Sequence, residues 1–143
     1  MSTPVVDLQA VHKTYPLGEY EVKALRGVDL KIAEGEFTVI MGPSGSGKST
    51  LLNLLGCIDL ASSGSVAVCG HDTAHKNEKE LAEIRRDNIG FIFQAFFVQA
   101  NETCAQNVSL PLEIAGVPKS ERKKLILEAL ESVDLKDKLN EKA

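Results

Sequence analysis

The stretch Gly42-Pro-Ser-Gly-Ser-Gly-Lys-Ser49 decides the fold of this chain. It matches the pattern G-x-x-x-x-G-K-[ST] in full, directly after the apolar run Phe37-Thr-Val-Ile-Met41 and directly before the run Thr50-Leu-Leu-Asn-Leu-Leu55. Glycines let main-chain N–H groups approach phosphate oxygens without an intervening Cβ, and a helix N-terminus adds partial positive charge. The sequence therefore predicts a central strand covered on both faces, a phosphate-binding loop and a helix, in that order.

The loop residues have separate predicted roles around a purine nucleoside triphosphate, with ATP and Mg²⁺ as the expected ligands. Lys48 is expected to reach the β and γ phosphates, and the hydroxyl of Ser49 to hold the Mg²⁺ ion that bridges them. A glycine-rich turn that carries a lysine by chance is the alternative, and the flanking strand and helix disfavour it. The other predicted nucleotide-binding residues of this stretch are Gly42, Pro43, Ser44, Gly45, Ser46, Gly47 and Thr50.

Composition limits the classes of partner. The 143 residues include 43% hydrophobic and 25% charged residues, which is average for a soluble globular chain. The formal net charge of -4 gives no overall positive field, so nucleic acid is not an expected partner. No apolar run approaches the roughly 18 residues that a membrane-spanning helix requires.

Cysteine and histidine residues are too scattered to predict a metal site of protein ligands. The three cysteines lie far apart without a C-x-x-C pair, so we interpret them as reduced core thiols. The three histidines are interpreted as solvated loop residues. These six residues are Cys57, Cys69, Cys104, His12, His71 and His75.

Patterning predicts a first half with strands and a helical second half. Residues 5–15 and 22–32 alternate in places between apolar and polar side chains, as half-buried strands do, and residues 65–69 and 89–93 are further predicted strands. Asn77 followed by Glu80 resembles a capping box that opens a polar helix reaching Arg86.

Residues 104–115 and 118–133 are predicted helices. In the second of these, an apolar stripe at helical spacing is interpreted as core. The stripe consists of Ile126, Ala129, Leu130 and Val133.

The phosphate loop together with Leu25-Arg-Gly-Val-Asp-Leu30 and Glu34-Gly-Glu-Phe37 closely resembles the ATP-binding subunits of ABC transporters, over essentially the whole chain. Three further stretches resemble the branch that serves lipoprotein release and macrolide or peptide export: Leu54-Leu-Gly-Cys-Ile-Asp59, Ile84-Arg-Arg-Asp87 and Ile89-Gly-Phe-Ile-Phe-Gln94. The resemblance implies an α/β P-loop NTPase core of ABC type, with N-terminal antiparallel strands, parallel core strands and the start of a helical subdomain.

The resemblance also implies domain boundaries and two further site residues. Residues 1–94 would form a partial nucleotide-binding core, and residues 95–143 the Q-loop and the beginning of the helical subdomain. Tyr15 corresponds to the aromatic residue that stacks on adenine, which is sensible as offset π stacking; a tyrosine that simply packs at a sheet edge is the alternative. Gln94 corresponds to the catalytic glutamine that contacts Mg²⁺ and the attacking water, and an ordinary loop amide is the alternative.

Downstream of Gln94 the family pattern is kept only in part. Phe96, Thr103 and the pair Asn107-Val108 keep the family spacing, whereas Gln99-Ala-Asn-Glu102 and Cys104 depart from it. Relatives carry a more apolar stretch there, where a cytoplasmic helix of the transporter would dock. The resemblance therefore leaves productive coupling open.

The family's partners follow from the same resemblance: a transmembrane subunit and a second ATP-binding subunit in a head-to-tail pair. They imply a cytoplasmic location, peripheral on the inner face of the cell membrane. The 143 residues contain no L-S-G-G-Q segment, no apolar strand ending in Asp-Glu and no histidine after His75. We therefore expect the remainder of the ATPase domain to be absent, ATP binding with little or no hydrolysis, and an unpaired apolar edge at residues 37–41.

Two other functions are weighed. A non-enzymatic nucleotide-binding module that regulates or poisons a full-length ATPase by pairing with it is compatible with these residues. A GTPase or small-molecule kinase is disfavoured because the sequence contains no N-K-x-D run for reading guanine and no obvious Arg-rich lid.

Overall fold

A computed structural model describes residues 4–95 and 97–142, which divide into two compact units between Phe91 and Ile92. Phe96, one of the residues at family spacing, lies outside the described residues. The predicted division into residues 1–94 and 95–143 stays a prediction.

The first unit is built on an antiparallel sheet with strand order β2-β1-β3-β4. Strand β1 (Val6–Leu17) and strand β2 (Tyr20–Ile32) form a long hairpin, with Tyr15 opposite Val22 in its register. Strand β3 (Ser63–Val68) pairs with the other edge of β1. The strands predicted at residues 5–15, 22–32 and 65–69 are thus confirmed.

The short strand β4 (His71–Asp72) is not among the strands predicted from the sequence. Cys69 and Gly70 both adopt positive φ, 48° and 78°, and this turn reverses the chain so that β4 pairs with β3. The turn therefore begins a small hairpin instead of ending the sheet.

Two helices cover the sheet of the first unit, and both agree with prediction. Helix α1 (Lys48–Leu55) buries Leu51 and Leu54, and helix α2 (Glu78–Asn88) buries Leu81 and Ile84. They join sheet residues in one core cluster, whose most deeply buried members are Leu8, Leu54, Val11, Val66 and Cys57.

The predicted capping box at the start of α2 is confirmed. The Glu80 amide donates to the Asn77 side chain at 3.0 Å, and the Asn77 amide donates to the Glu80 carboxylate at 2.9 Å. Two amides of the first turn thereby find acceptors.

The predicted parallel core strands at residues 37–41 and 89–93 are not formed, so these two strand predictions are wrong: neither segment is assigned to a strand. Phe37 is 91% exposed and Met41 is 86% exposed. An apolar run is buried as a strand only where neighbouring strands and helices cover it, and no described strand pairs with residues 37–41. The apolar side chains of Phe37 and Met41 are thus exposed, but on a segment that is not a strand.

The second unit contains helix α3 (Cys104–Ile114) and helix α4 (Lys119–Glu131), as predicted, followed by a 3₁₀ turn at Lys136–Lys138. The predicted core stripe on α4 is only partly correct. Leu130 is buried and Ile126 is half-buried, but Ala129 and Val133 are exposed. Val133 lies beyond the end of α4 and so cannot continue its apolar stripe. Within residues 4–95 and 97–142, no helix is long and apolar enough to cross a membrane.

The burial of α1 can be tested on a single helix. Leu54 is 1% exposed, whereas Leu52 is 45% exposed. We expect Leu54→Ala to lower the free energy of unfolding by about 2–5 kcal/mol, since it removes buried methyl groups and leaves a cavity. Leu52→Ala is the matched control and should cost about 0.5 kcal/mol or less. Urea unfolding followed by circular dichroism measures both, and equal losses would contradict the packing described for α1.

Candidate functional site: the phosphate-loop cavity

The loop before α1 is held against the β1–β2 hairpin at Gly47. Gly47 caps the helix with φ of 90°, and its carbonyl accepts the Leu51 amide at 2.8 Å. A Cβ at this position would lie 2.6 Å from the Ala24 carbonyl oxygen and 3.1 Å from a methyl group of Leu25. Only glycine therefore permits both the backbone conformation and this close approach to β2.

Lys48 folds back over the loop that precedes it. Its Nζ donates to the carbonyl oxygens of Gly42 at 2.8 Å and Pro43 at 2.7 Å, and it lies 3.4 Å from the hydroxyl of Ser46. The ammonium group is thus held at the loop by neutral oxygens, which anionic oxygens outcompete as partners of a cation.

Main-chain donors remain available where the loop enters the helix. Among the described residues, the amides of Gly47, Lys48 and Ser49 have no protein acceptor. They belong to the cap and the first turn of α1, where N–H groups lack intrahelical partners and carry the positive end of the helix dipole. This arrangement can bind an anion.

A cavity of about 640 Å³ opens over these donors, within the usual size of small-molecule sites. Its cationic lining residues are Lys23, Arg26 and Lys48, and its one acidic lining residue is Glu21. The cavity is therefore positive in a chain whose net charge is -4, which favours an anionic ligand. The remaining lining residues are Tyr15, Val22, Ala24 and residues 44–47, 49 and 50.

The structure gathers most of the predicted nucleotide-binding residues in this cavity. Tyr15 and residues 44–50 line it, whereas Gly42 and Pro43 contribute the carbonyl groups that hold Lys48. Gln94 lies exposed in the second unit, and its role at Mg²⁺ stays a prediction.

Sequence reasoning missed Lys23 and Arg26, which line the cavity. They lie on β2 close to Val22, the partner of Tyr15 in the hairpin. The register of the hairpin therefore brings Lys23 and Arg26 to the cavity, and no sequence motif predicts this position.

Asp59 holds two side chains of β1 in what we call the Asp59 cluster, formed by Asp59, Lys13 and Tyr15. The Tyr15 hydroxyl donates to Asp59 Oδ2 at 2.8 Å, and Lys13 Nζ donates to Asp59 Oδ1 at 2.6 Å. Lys13 Nζ also donates to the Leu60 carbonyl oxygen at 2.7 Å and lies 4.8 Å from the centroid of the Tyr15 ring. Sequence reasoning gave no role to Asp59 or Lys13.

The contacts within the Asp59 cluster shift the pKa values of Asp59 and Tyr15. Burial acts to raise the pKa of Asp59, but hydrogen bonds from Lys13, Tyr15 and the Leu60 amide outweigh burial and hold that pKa below its ordinary value. Burial and the hydrogen bond to Asp59 raise the pKa of Tyr15 and outweigh a hydrogen bond with Thr50, which acts to lower it. Asp59 is therefore an anion and Tyr15 a neutral donor at neutral pH.

The profile of the family described as ABC transporter matches residues 25–143 of this chain, most of its length and all of its phosphate loop. The chain belongs to the ABC transporter family.

Individual members of the ABC transporter family align along nearly the whole chain. An uncharacterized ABC transporter ATP-binding protein of Thermotoga maritima is 46% identical over 95% of this chain and 58% of its own length. The macrolide export ATP-binding/permease protein MacB of Escherichia coli K12 is 41% identical over 95% of this chain, but over 21% of its own length.

Solved structures of ABC cassettes share the fold. The ATP-binding cassette MJ0796, in a dimeric post-hydrolysis state bound to ADP and Pi, superposes with a TM-score of 0.87 at 45% identity. The match covers 96% of this chain and 61% of that one. This chain therefore spans about three fifths of that cassette. The fold class expected from the ABC resemblance is confirmed, except for the parallel core strands at residues 37–41 and 89–93.

The close approach at Gly47 gives a test of the loop. Gly47→Ala should destabilise the first unit more than Gly45→Ala, because both glycines have positive φ but a Cβ at Gly45 meets nothing within 4 Å. The backbone strain common to both is on the order of 1–3 kcal/mol, and the clash with Ala24 adds to it only at Gly47. Urea unfolding of the two variants checks the order, and the opposite order would mean that the loop does not pack on β2 as described.

Proposed function

We propose that this chain binds Mg-ATP in the phosphate-loop cavity, as the nucleotide-binding part of an ABC transporter that powers export or lipoprotein release across a membrane. The observation that carries the proposal is the positive cavity whose wall combines the first-turn amides of α1, Lys48 and Tyr15. A triphosphate needs the first two, and an aromatic base can use the third.

The residues on the wall fit the parts of ATP. Phosphate oxygens would accept from the amides of Gly47, Lys48 and Ser49, which have no acceptor among the described residues. The Lys48 ammonium would exchange the carbonyl groups of Gly42 and Pro43 for the β and γ phosphates, a stronger charge-assisted interaction. Tyr15 would stack on adenine.

The residues present also fit a Mg²⁺ ion that arrives with the nucleotide. Ser49 lines the cavity, beside the Lys48 that would contact the β and γ phosphates. The Ser49 hydroxyl oxygen would coordinate the ion. When bound, Mg²⁺ neutralises charge on the β and γ phosphates.

The relatives' names support the transport role. MacB of Escherichia coli is named as a macrolide export protein, and the superposed cassette is dimeric with ADP and Pi bound. By analogy, we assign to this chain a transmembrane partner, a second ATP-binding chain and a place on the cytoplasmic face of the membrane.

Turnover is proposed to be low for the 143-residue polypeptide. Phosphoryl transfer depends on positioning the attacking water and on stabilising the developing charge. The L-S-G-G-Q segment, the Asp-Glu strand end and the later histidine that serve these steps in the family are not among these 143 residues. Binding and hydrolysis are therefore separable in this polypeptide.

Lys48→Ala should weaken Mg-ATP binding by roughly 10- to 150-fold, because each charge-assisted hydrogen bond lost costs on the order of 1.5–3 kcal/mol. Isothermal titration calorimetry measures the affinity. The matched control is Lys124→Ala, which removes the same charge from an exposed position on α4 and should bind ATP like wild type. Equal affinities for wild type and Lys48→Ala would refute the proposal.

Phosphate release by the wild-type polypeptide should stay within about tenfold of the rate shown by Lys48→Ala at saturating Mg-ATP, since the 143 residues contain no L-S-G-G-Q segment and no apolar strand ending in Asp-Glu. A coupled phosphate-release assay measures both. Release at the rate of a complete ABC ATPase, lost in Lys48→Ala, would show that the 143 residues suffice for catalysis.

A further inference from the structure

We propose that Asp59 is a positioning residue for the nucleotide base: its carboxylate fixes the Tyr15 ring so that one ring face stays available for stacking. This inference rests on the proposed ATP binding and deepens it. It assigns a role in base recognition to a residue outside the phosphate loop and outside the lining of the cavity.

The carboxylate of Asp59 divides its two oxygens between two donors of the same strand. Oδ2 accepts the Tyr15 hydroxyl at 2.8 Å, and Oδ1 accepts Lys13 Nζ at 2.6 Å. Lys13 and Tyr15 are two apart on β1 and so lie on one face of the strand, where a single carboxylate reaches both. Loss of either oxygen would leave one of these donors without its anionic partner.

Lys13 decides which face of the ring is available. Its ammonium lies 4.8 Å from the centroid of Tyr15, at cation–π distance, and it is anchored there by Asp59 and by the Leu60 carbonyl group. Tyr15 lines the cavity and Lys13 does not. Lys13 therefore occupies one face of the ring, and the opposite face is the one that would stack on a base in the cavity.

Helix α1 connects this anchor to the phosphate-binding end. Lys48 and Ser49 begin the helix, and Asp59 follows its C-terminus in a tight turn where the amides of Ile58 and Asp59 donate to the Asn53 carbonyl oxygen at 2.8 Å and 3.3 Å. The turn is closed further by the Leu60 amide, which donates to Asp59 Oδ1 at 2.7 Å. One rigid element thus sets the distance between the groups that would hold phosphate and the ring that would hold the base.

A ring fixed before binding needs no further ordering when the base arrives, so the free energy of stacking is not spent on immobilising the side chain. Release of the ring would weaken only those ligands that carry a base. Triphosphate alone contacts the loop and not Tyr15, so its affinity should be independent of Asp59. If Asp59 positions the ring, its substitution should change the ratio of ATP affinity to triphosphate affinity. If Asp59 only supports the fold, its substitution should lower both affinities alike and leave the ratio unchanged.

The experiment compares Mg-ATP with Mg-tripolyphosphate by isothermal titration calorimetry on wild type, Asp59→Asn, Tyr15→Phe and the double variant. Asp59→Asn retains one oxygen for two donors, and Tyr15→Phe retains the ring but removes its hydroxyl. Each single variant should bind ATP roughly 2- to 13-fold more weakly, with tripolyphosphate affinity unchanged. The double variant should be no weaker than the weaker single variant, because both changes break the same hydrogen bond.

Asp7→Asn is the matched control. Like Asp59, Asp7 is paired with a lysine, Lys31 at 3.4 Å, but Asp7 lies on β1 and makes no hydrogen bond with Tyr15. This variant should bind both ligands like wild type.

The outcomes separate failure of this inference from failure of the proposed function. An unchanged ATP-to-tripolyphosphate ratio in both Asp59→Asn and Tyr15→Phe, or equal losses for both ligands, overturns the role of Asp59 while ATP binding stands. If wild type binds neither ligand, or if Lys48→Ala binds both like wild type, the proposed function itself fails. Should Asp59→Asn unfold, Tyr15→Phe decides the question alone, since it removes the same hydrogen bond from the other side.

Discussion

The site depends on the packing of helix α1, which buries its own side chains Leu51 and Leu54. These side chains join the core formed by β1, β2 and β3, and so fix the helix against the sheet. The phosphate loop makes few structural hydrogen bonds of its own and takes its position from this helix and from the contact of Gly47 with Ala24. A loop whose amides must stay available for a ligand cannot use them to hold itself in place, so its neighbours must do so.

Sequence patterns predicted the elements whose cause is local. The capping box at Asn77 and Glu80 and the phosphate loop are specified by residues a few positions apart, and the structure forms both elements. The apolar run at residues 37–41 is different. Its composition indicates that both of its faces should be buried, but not which other segments would bury them. No described strand pairs with it, and the local pattern contains nothing that reveals this.

The parts of the site that sequence reasoning missed depend on distant residues. Asp59 meets Tyr15 across 44 positions of sequence, and Lys23 and Arg26 reach the cavity through the register of the β1–β2 hairpin. Both arrangements result from tertiary packing, so no periodicity or motif in the sequence indicates them. The wall of the cavity that is proposed to bind phosphate was therefore predictable from one sequence, whereas the wall proposed to face the base was only partly so.

The state of Lys48 bears on how tightly this site can bind. Its ammonium group already has two short hydrogen bonds to carbonyl oxygens, so a nucleotide gains only the difference between these bonds and those to phosphate. That difference is favourable because phosphate oxygens carry full charge and the carbonyl groups do not. The two carbonyl bonds also give the ammonium group partners when no nucleotide is bound. A partly buried ammonium group without partners would cost more free energy. Under the proposed function, the same carbonyl bonds would reduce the affinity of the site for a nucleotide while they hold Lys48 at the loop.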